Sequence, residues 1–236
     1  DPVLGYAPYI DVDSFIENWW FVEIMKQIDG YRLSTYFYKD RGGKIVAAPI
    51  WDYNLSLGNA NYLFGDIPTG WYWNQTDSYW WARLRQDPNY ELRNWDRYWE
   101  MRRGIFGTTS ILASIDQIMS VSVNGSGTPV TNSMSLAAGQ PSTLENAAMR
   151  HYRRFPVLGA YLWPNAGGDP GGAATITPRP WQVNTTYQSE VSWMKTWLSQ
   201  RLTWLDNQNF SGSVIYRPPN FSSPGGSVTA GTSLTI

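Results

Sequence analysis

Two aspartates, Asp29 and Asp52, are the residues whose types and positions best fit chemistry in this chain of 236 residues. Between them lie two runs rich in β-forming residues, 31–38 and 43–51, joined by the polar stretch 39–42, which ends in glycine. Two such runs around a short polar turn are typical of a β-hairpin. We therefore predict that the two aspartates occupy the open end of a hairpin.

The register of this hairpin decides how close the two aspartates lie. If Tyr38 faces Gly43, paired residue numbers sum to 81 and Asp29 lies opposite Asp52. Directly opposed residues of antiparallel strands are about 4.5 to 5.5 Å apart at Cα, where two bare carboxylates repel each other. A divalent metal, a shared proton or a splayed strand end would each relieve the repulsion, and the metal is the alternative that carries chemistry.

A helix before the hairpin is expected to position Asp29. Asp11 and Ser14 supply capping groups ahead of apolar residues at three- and four-residue steps, a pattern that predicts a helix running to about Ile28. The end of that helix leads directly into Asp29. A side chain at the junction of two rigid elements can be placed accurately.

A long loop follows Asp52 and reaches about Gln75. Loops of this length usually have a function, and this one contains the three adjacent aromatic residues Trp71, Tyr72 and Trp73. Two interpretations are open. The aromatic side chains line a substrate cleft, or they cover the hydrophobic core.

The remainder of the chain is predicted to be mostly helical. Asp87 and Pro88 form a typical helix start, with a capping carboxylate and a proline in the first helical position. The predicted helices cover residues 77–86, 88–103, 109–119, 144–155 and 187–207. With the hairpin, they predict an α+β fold.

We expect one main domain followed by the start of another. The main domain is predicted to span residues 1–208, and the stretch 209–226 is rich in proline, glycine and serine, as linkers are. Residues 227–236 alternate like a β-strand. Since a single strand cannot form a domain, we interpret this end as the first strand of a truncated β-module.

The composition excludes several classes of function. Without cysteine the chain has no disulfide, no thiolate metal site and no thiol nucleophile, and a single histidine leaves little material for a Ser-His-Asp hydrolase. A net charge of -1 gives no general basic surface for nucleic acid, and no apolar run is long enough to span a membrane. Fourteen tryptophans with only 16% charged residues are typical of exported or carbohydrate-associated bacterial proteins.

Several motifs together carry a resemblance to a known family. They are Tyr9-Ile-Asp-Val-Asp-Ser-Phe-Ile, the isolated Asp29, Ser34-Thr-Tyr-Phe-Tyr-Lys-Asp, Pro49-Ile-Trp-Asp-Tyr-Asn, Gly58-Asn, Glu190-Val-Ser-Trp-Met-Lys-Thr-Trp-Leu and Arg201-Leu-Thr-Trp-Leu-Asp. In this order the sequence resembles the spore-coat protein H (CotH) kinase family, most densely over about residues 9–61. The tail after Asn220 resembles the start of an Ig-like repeat of the chitobiase C-terminal type.

The resemblance implies a role for five residues. Asp29 matches the catalytic aspartate of the family, and Asp52 matches its metal-binding aspartate. Asn54 is implied as a further metal ligand, whereas Ser34 and Asn59 are implied to lie near the nucleotide phosphates.

The resemblance also implies a fold and an activity. The fold would be an atypical protein-kinase-like one, in which the mostly helical larger lobe has a small antiparallel hairpin carrying the site. The activity would be transfer of phosphate from ATP, with Mg²⁺, to serine or threonine hydroxyls of extracellular or coat proteins. The protein would be secreted or held at a bacterial cell surface, with serine-containing proteins as partners and carbohydrate or a surface matrix as further ones.

Two departures from the family pattern keep other functions open. Asn54 stands where the family usually has a carboxylate, and no glycine-rich loop or strand lysine precedes Asp11, so the resemblance covers the larger lobe alone. It is therefore open whether this stretch is active by itself. The alternatives are a non-catalytic secreted module that acts as an adhesin or carbohydrate binder, and a degenerate kinase-like scaffold.

Overall fold

The computed structural model describes residues 5–119, 144–164 and 185–208, together with Gly231 and Ser233. The chain divides into two compact units, 1–206 and 207–236. The helices and strands described below belong to the first unit. The linker predicted at 209–226 lies outside the described residues, as does the strand predicted at 227–236 apart from Gly231 and Ser233.

The described part of the first unit is mostly helical and has one small antiparallel sheet, which confirms the predicted α+β fold. Its elements are α1 (Val12–Met25), β1 (Phe37–Tyr38), β2 (Val46–Ala47), a 3-10 turn (Tyr53–Leu55), α2 (Tyr79–Leu84), α3 (Pro88–Arg103), α4 (Thr108–Met119), α5 (Leu144–Arg154) and α6 (Tyr187–Asp206). The predicted helices are present, and α2 is shorter than the expected 77–86.

The first helix begins as predicted and ends early. Asp11 caps α1, since its carboxylate accepts a hydrogen bond from the Ser14 N–H at 2.9 Å. The helix was expected to reach Ile28 but ends at Met25, because Lys26 adopts the left-handed conformation with φ 48°. The chain therefore leaves the helical path three residues before Asp29, and non-helical backbone leads into the candidate site.

Aromatic side chains of α1 and α3 form the centre of the core. Trp19 and Trp20 have no exposed surface, and the Trp20 ring stacks on Tyr98 with ring centroids 4.2 Å apart. The Trp20 indole N–H donates to the Asn94 carbonyl oxygen at 2.8 Å, so its polar atom is satisfied inside the core. The high tryptophan content thus serves packing at these positions, which fixes α1 firmly against α3.

The predicted hairpin is present, but the predicted register is wrong. Phe37 pairs with Ala47 and Tyr38 with Val46, so paired residue numbers sum to 84 instead of 81. Each strand is two residues long, far shorter than the runs 31–38 and 43–51. Asp29 and Asp52 are therefore not a directly opposed pair of this hairpin.

Ile45 explains the shift in register. The Gly43 N–H donates to the Asp40 carbonyl oxygen at 3.0 Å and closes the turn, but Ile45 then pairs outside the hairpin. Its N–H donates to the Tyr9 carbonyl oxygen at 2.9 Å, and its own carbonyl accepts from the Asp11 N–H at 2.8 Å. The second strand begins only after this contact, which ties the hairpin to the start of α1.

A buried ion pair joins α1 to α6. Glu23 and Arg201 have no exposed surface, and the Arg201 guanidinium donates to the Glu23 carboxylate at 3.1 Å and to the Glu23 carbonyl oxygen at 2.9 Å. The same carboxylate accepts from the backbone N–H groups of Tyr72 and Trp73 at 2.9 and 2.7 Å. Removing one partner of such a pair would leave a buried charge, a change that costs about 3 to 5 kcal/mol.

Lys26 completes this buried group of charges. Its ammonium group donates to the carbonyl oxygens of Ile67 and Thr69 at 2.7 and 2.9 Å, and its side chain is almost fully buried. Burial first and the Arg201 charge second lower the pKa of Lys26, against the raising effects of Glu23 and Asp66, to about 7. The loop that follows the 3-10 turn is thereby attached to the end of α1.

The lowered pKa of Lys26 predicts a pH dependence of stability. Between pH 7 and about pH 9.5 the unfolded chain keeps the lysine proton that the folded domain releases, so the free energy of unfolding rises by about 3 kcal/mol. Urea unfolding at several pH values measures this slope. Lys26→Met should remove it, whereas Lys44→Met, at an exposed position, should retain it. An unchanged slope in Lys26→Met would contradict the assignment.

Candidate active site

Asp29 lies in a turn between α1 and the hairpin, and its backbone is held on both sides. Its N–H donates to the side-chain oxygen of Gln27 at 2.6 Å. Its carbonyl oxygen accepts from the N–H groups of Leu33 and Ser34, both at 3.0 Å. These bonds involve the backbone of Asp29 and not its carboxylate, and the side chain is 18% exposed.

Asp52 directly precedes the 3-10 turn and has an unusual backbone conformation. Its φ of 61° and ψ of 50° lie in the left-handed region, which aspartate tolerates better than most residues. The Asp52 carbonyl oxygen accepts from the side-chain N–H of Gln27 at 3.0 Å. The side chain of Asp52 is exposed.

Backbone hydrogen bonds next to the contact between Gln27 and Asp52 also join the segments that carry the two aspartates. The Ile28 N–H donates to the Leu55 carbonyl oxygen at 3.3 Å, and the Leu57 N–H donates to the Met25 carbonyl oxygen at 2.7 Å. Together with the Gln27 amide, these bonds bring the backbones of Asp29 and Asp52 to one place. The non-helical segment after α1, and not the hairpin pairing, makes this link between the two backbones.

Ser34, Asn54 and Asn59 form a hydrogen-bonded chain at Asp52. The Ser34 hydroxyl donates to Asp52 Oδ2 at 3.4 Å. With its amide nitrogen turned toward Asp52, Asn54 donates to Asp52 Oδ1 at 2.8 Å, and Asn59 Nδ2 donates to the Asn54 carbonyl oxygen at 2.9 Å. The structure therefore places four of the five polar residues implied by the resemblance in one network, and the fifth, Asp29, joins it through its backbone carbonyl, which accepts from the Ser34 N–H.

The charges around Asp29 are only weakly compensated. Arg32 lies 3.9 Å from Asp29 Oδ1 and its side chain is 39% exposed, an arrangement that contributes little in water. The negative charge of Asp29 reaches Tyr62 as well, since burial first and the Asp29 charge second raise the pKa of Tyr62. Asp29 is therefore an accessible acid without a tight cationic partner among the described residues.

The three aromatic residues of the loop, Trp71, Tyr72 and Trp73, pack against other side chains and backbone of the domain. Tyr72 has no exposed surface and its hydroxyl donates to the Ile28 carbonyl oxygen, so it does not line a cleft. The Trp71 ring packs against the ring of Trp204, with centroids 5.3 Å apart, and Trp73 lies under the Arg85 guanidinium at 4.4 Å. The second interpretation, in which these aromatics cover the core, fits these contacts.

The donor set at this site fits a magnesium ion that is completed by water and phosphate. Mg²⁺ is commonly bound in proteins through one or two carboxylates, with phosphate oxygens and water in the other positions. Asp52 provides an exposed carboxylate of this kind. Within the described ranges no group of three or more histidine, cysteine or acidic residues could hold a metal by itself.

The fold and this network define an α+β domain of the kinase-like type, with paired acids beside a small hairpin. The sequence matches the family described as CotH kinase protein over residues 2–205, and the chain belongs to that family. No curated protein and no solved structure matched the chain. Within the described ranges, no helix has the length and hydrophobicity to cross a membrane.

Sequence reasoning missed Gln27. A glutamine near the end of an apolar stripe gives no signal, and the helix was expected to continue through it. Only the left-handed turn at Lys26 directs this side chain between the two acidic segments. A helix stop at Met25 would have drawn attention to it, but no glycine or proline marks that position.

We expect Gly58 to be essential for close packing of its loop against α6. Its φ of 85° disfavours other residues, and a Cβ there would lie 2.7 Å from Trp197 and even closer to Trp193. We expect Gly58→Ala to lower the free energy of unfolding by about 2 to 4 kcal/mol, from backbone strain and overpacking together. Urea unfolding measures the loss.

Gly42→Ala is the matched control for this prediction. Gly42 also has a positive φ, 72°, but nothing lies within 4 Å of a Cβ built on it. Its substitution should cost only the backbone strain, about 1 kcal/mol. Equal losses in the two variants would mean that the tryptophan contacts of Gly58 do not hold the loop.

Proposed function

We propose that this domain transfers phosphate from ATP, with Mg²⁺, to serine or threonine hydroxyls of proteins outside the cell or in a coat. The observation that carries the proposal is the Gln27 amide, which holds the backbones of Asp29 and Asp52 at its two ends. Membership of the CotH kinase family supports it. The tryptophan-rich, weakly charged composition supports a location at or beyond the cell surface.

Phosphoryl transfer requires accurate positioning and neutralisation of charge more than covalent chemistry by the protein. Asp29 would accept a hydrogen bond from the acceptor hydroxyl, align it with the phosphorus atom and take its proton. The partly exposed carboxylate and the fixed backbone of Asp29 suit this role. Arg32, 3.9 Å away and partly exposed itself, would compensate the charge of that carboxylate only weakly.

Asp52 would bind the metal ion. Its carboxylate is kept in one orientation by the Ser34 hydroxyl and the Asn54 amide, both neutral donors that leave its charge in place. Asp52 would hold Mg²⁺, with Asn54 as a further ligand and Asn59 nearby. When bound, the ion would neutralise the charge on the nucleotide phosphates.

A non-catalytic function as a carbohydrate-binding surface module is the second candidate. A cavity of about 620 Å³ lies between the N-terminal segment and α2, and its walls include Phe15, Trp80, Arg83 and Asp87. Trp80 is 51% exposed there, and an exposed ring flanked by hydrogen-bonding side chains suits a sugar. This function would be independent of the two acids.

Asn substitutions of the two acids test the proposed kinase. Asp52→Asn should weaken Mg²⁺-dependent ATP binding at least about tenfold, because it removes a ligand charge. Asp29→Asn should keep ATP binding but lower phosphate transfer by about 100-fold or more, because it removes the base. Calorimetry measures binding, and labelled ATP with casein as acceptor measures transfer.

Asp40→Asn is the matched control for these variants, since Asp40 is an exposed acid on the hairpin turn outside the network. It should leave both measurements unchanged. ATP binding that survives in Asp52→Asn would contradict the proposed metal site. Glycan binding that persists in Asp52→Asn and disappears in Trp80→Ala would favour the second function.

Asn54→Asp tests whether the neutral residue limits the metal site. Without Mg²⁺ the variant should lose about 1 to 2 kcal/mol of unfolding free energy, because a second charge replaces the N–H donor to Asp52. Its affinity for Mg²⁺ should rise about tenfold, because the ion gains a carboxylate. Thermal unfolding during a Mg²⁺ titration measures both effects.

Asn74→Asp adds the same charge at an exposed position away from the acids and serves as the control. It should show neither effect. If Asn54→Asp destabilises the domain and Mg²⁺ does not reverse the loss, Asn54 lies outside any metal site.

A further inference from the structure

We propose that Gln27 is a positioning residue that fixes the distance between the two acids of the active site. The inference rests on the proposed kinase function. The Gln27 side chain has no exposed surface, so it cannot touch a substrate. Its amide oxygen accepts from the Asp29 N–H at 2.6 Å, and its amide nitrogen donates to the Asp52 carbonyl oxygen at 3.0 Å.

The two backbone groups that the Gln27 side chain contacts require an amide between them. The Asp29 N–H needs an acceptor, whereas the Asp52 carbonyl needs a donor, and a buried backbone group without its partner is costly. Glutamine offers both functions from one planar group. A methionine of similar length offers neither, and an ionised glutamate offers only the acceptor.

Gln27 is itself held by the surrounding backbone. Its N–H donates to the Val22 carbonyl oxygen and its carbonyl accepts from the Gly30 N–H, both at 3.1 Å. The Gly30 backbone lies close against Val22 of α1, since a Cβ there would be 2.7 Å from the Val22 side chain. The amide is therefore a stiff spacer, which is the property that accurate alignment of two reacting groups demands.

Other bonds keep the two segments together when the amide is lost. The Ile28 to Leu55 and Leu57 to Met25 backbone bonds do not involve the Gln27 side chain. Loss of the amide should therefore loosen the relative positions of the acids without separating their segments. This predicts a defect in turnover that is larger than the defect in nucleotide binding.

Gln27→Met tests the positioning role of Gln27. We expect kcat for phosphate transfer from labelled ATP to casein to fall about 100-fold, with KM for ATP changed less than about threefold. The Asp29 amide proton should exchange with solvent at least about tenfold faster, because its acceptor is gone. The exchange measurement requires no activity.

Thr35→Val is the matched control. The Thr35 hydroxyl donates to the Gly30 carbonyl oxygen at 2.6 Å, so the variant also loses a hydrogen bond in the same turn but leaves the link between the acids. It should keep the wild-type kcat. A similar loss of kcat in both variants would show that Gln27 acts only through general stability, and would overturn the inference.

The outcomes separate this inference from the proposed function. If the wild-type protein neither binds ATP with Mg²⁺ nor transfers phosphate, the kinase function fails and the catalytic purpose of Gln27 fails with it. If the wild type is active but Gln27→Met keeps its kcat, the role of Gln27 alone is overturned.

Discussion

The buried ion pair of Glu23 and Arg201 is the interaction on which the other parts of this domain depend. It joins α1 to α6, and its remaining hydrogen-bonding capacity satisfies backbone groups of the loop at residues 67–73. Lys26 satisfies two more carbonyl oxygens of that loop. A loop can be buried only if its polar backbone finds partners, and here charged side chains from two helices supply them.

The same anchoring explains how the candidate site is built. Because Glu23 and Lys26 fix the end of α1, the chain that follows is held firmly even though it is not helical. Tyr72 adds a hydrogen bond to the Ile28 carbonyl oxygen from the anchored loop. The two acids are therefore positioned by non-helical backbone that the anchored loop and the end of α1 hold in place. The hairpin contributes mainly through the bridge between Ile45 and Ile10, which connects it to the start of α1.

The sequence permitted prediction of the helices and the α+β class, because capping residues and apolar periodicity act locally. The backbones of Asp29 and Asp52 are linked through Gln27, and not through the hairpin register on which their predicted approach rested. The hairpin register could not be predicted, since Ile45 pairs with the distant segment before α1. The role of Gln27 was also hidden, because it depends on an unmarked helix end. Tyr72 was ambiguous, since aromatic residues suit a cleft and a core equally well.

The left-handed backbone of Asp52 has a consequence for how this domain can change over evolutionary time. Asparagine adopts that conformation about as readily as aspartate, whereas glutamate, which would preserve the charge, does not. A lineage released from selection for chemistry can therefore drift to a neutral residue here while the turn persists. Family members with and without the carboxylate would then share one backbone conformation at this turn.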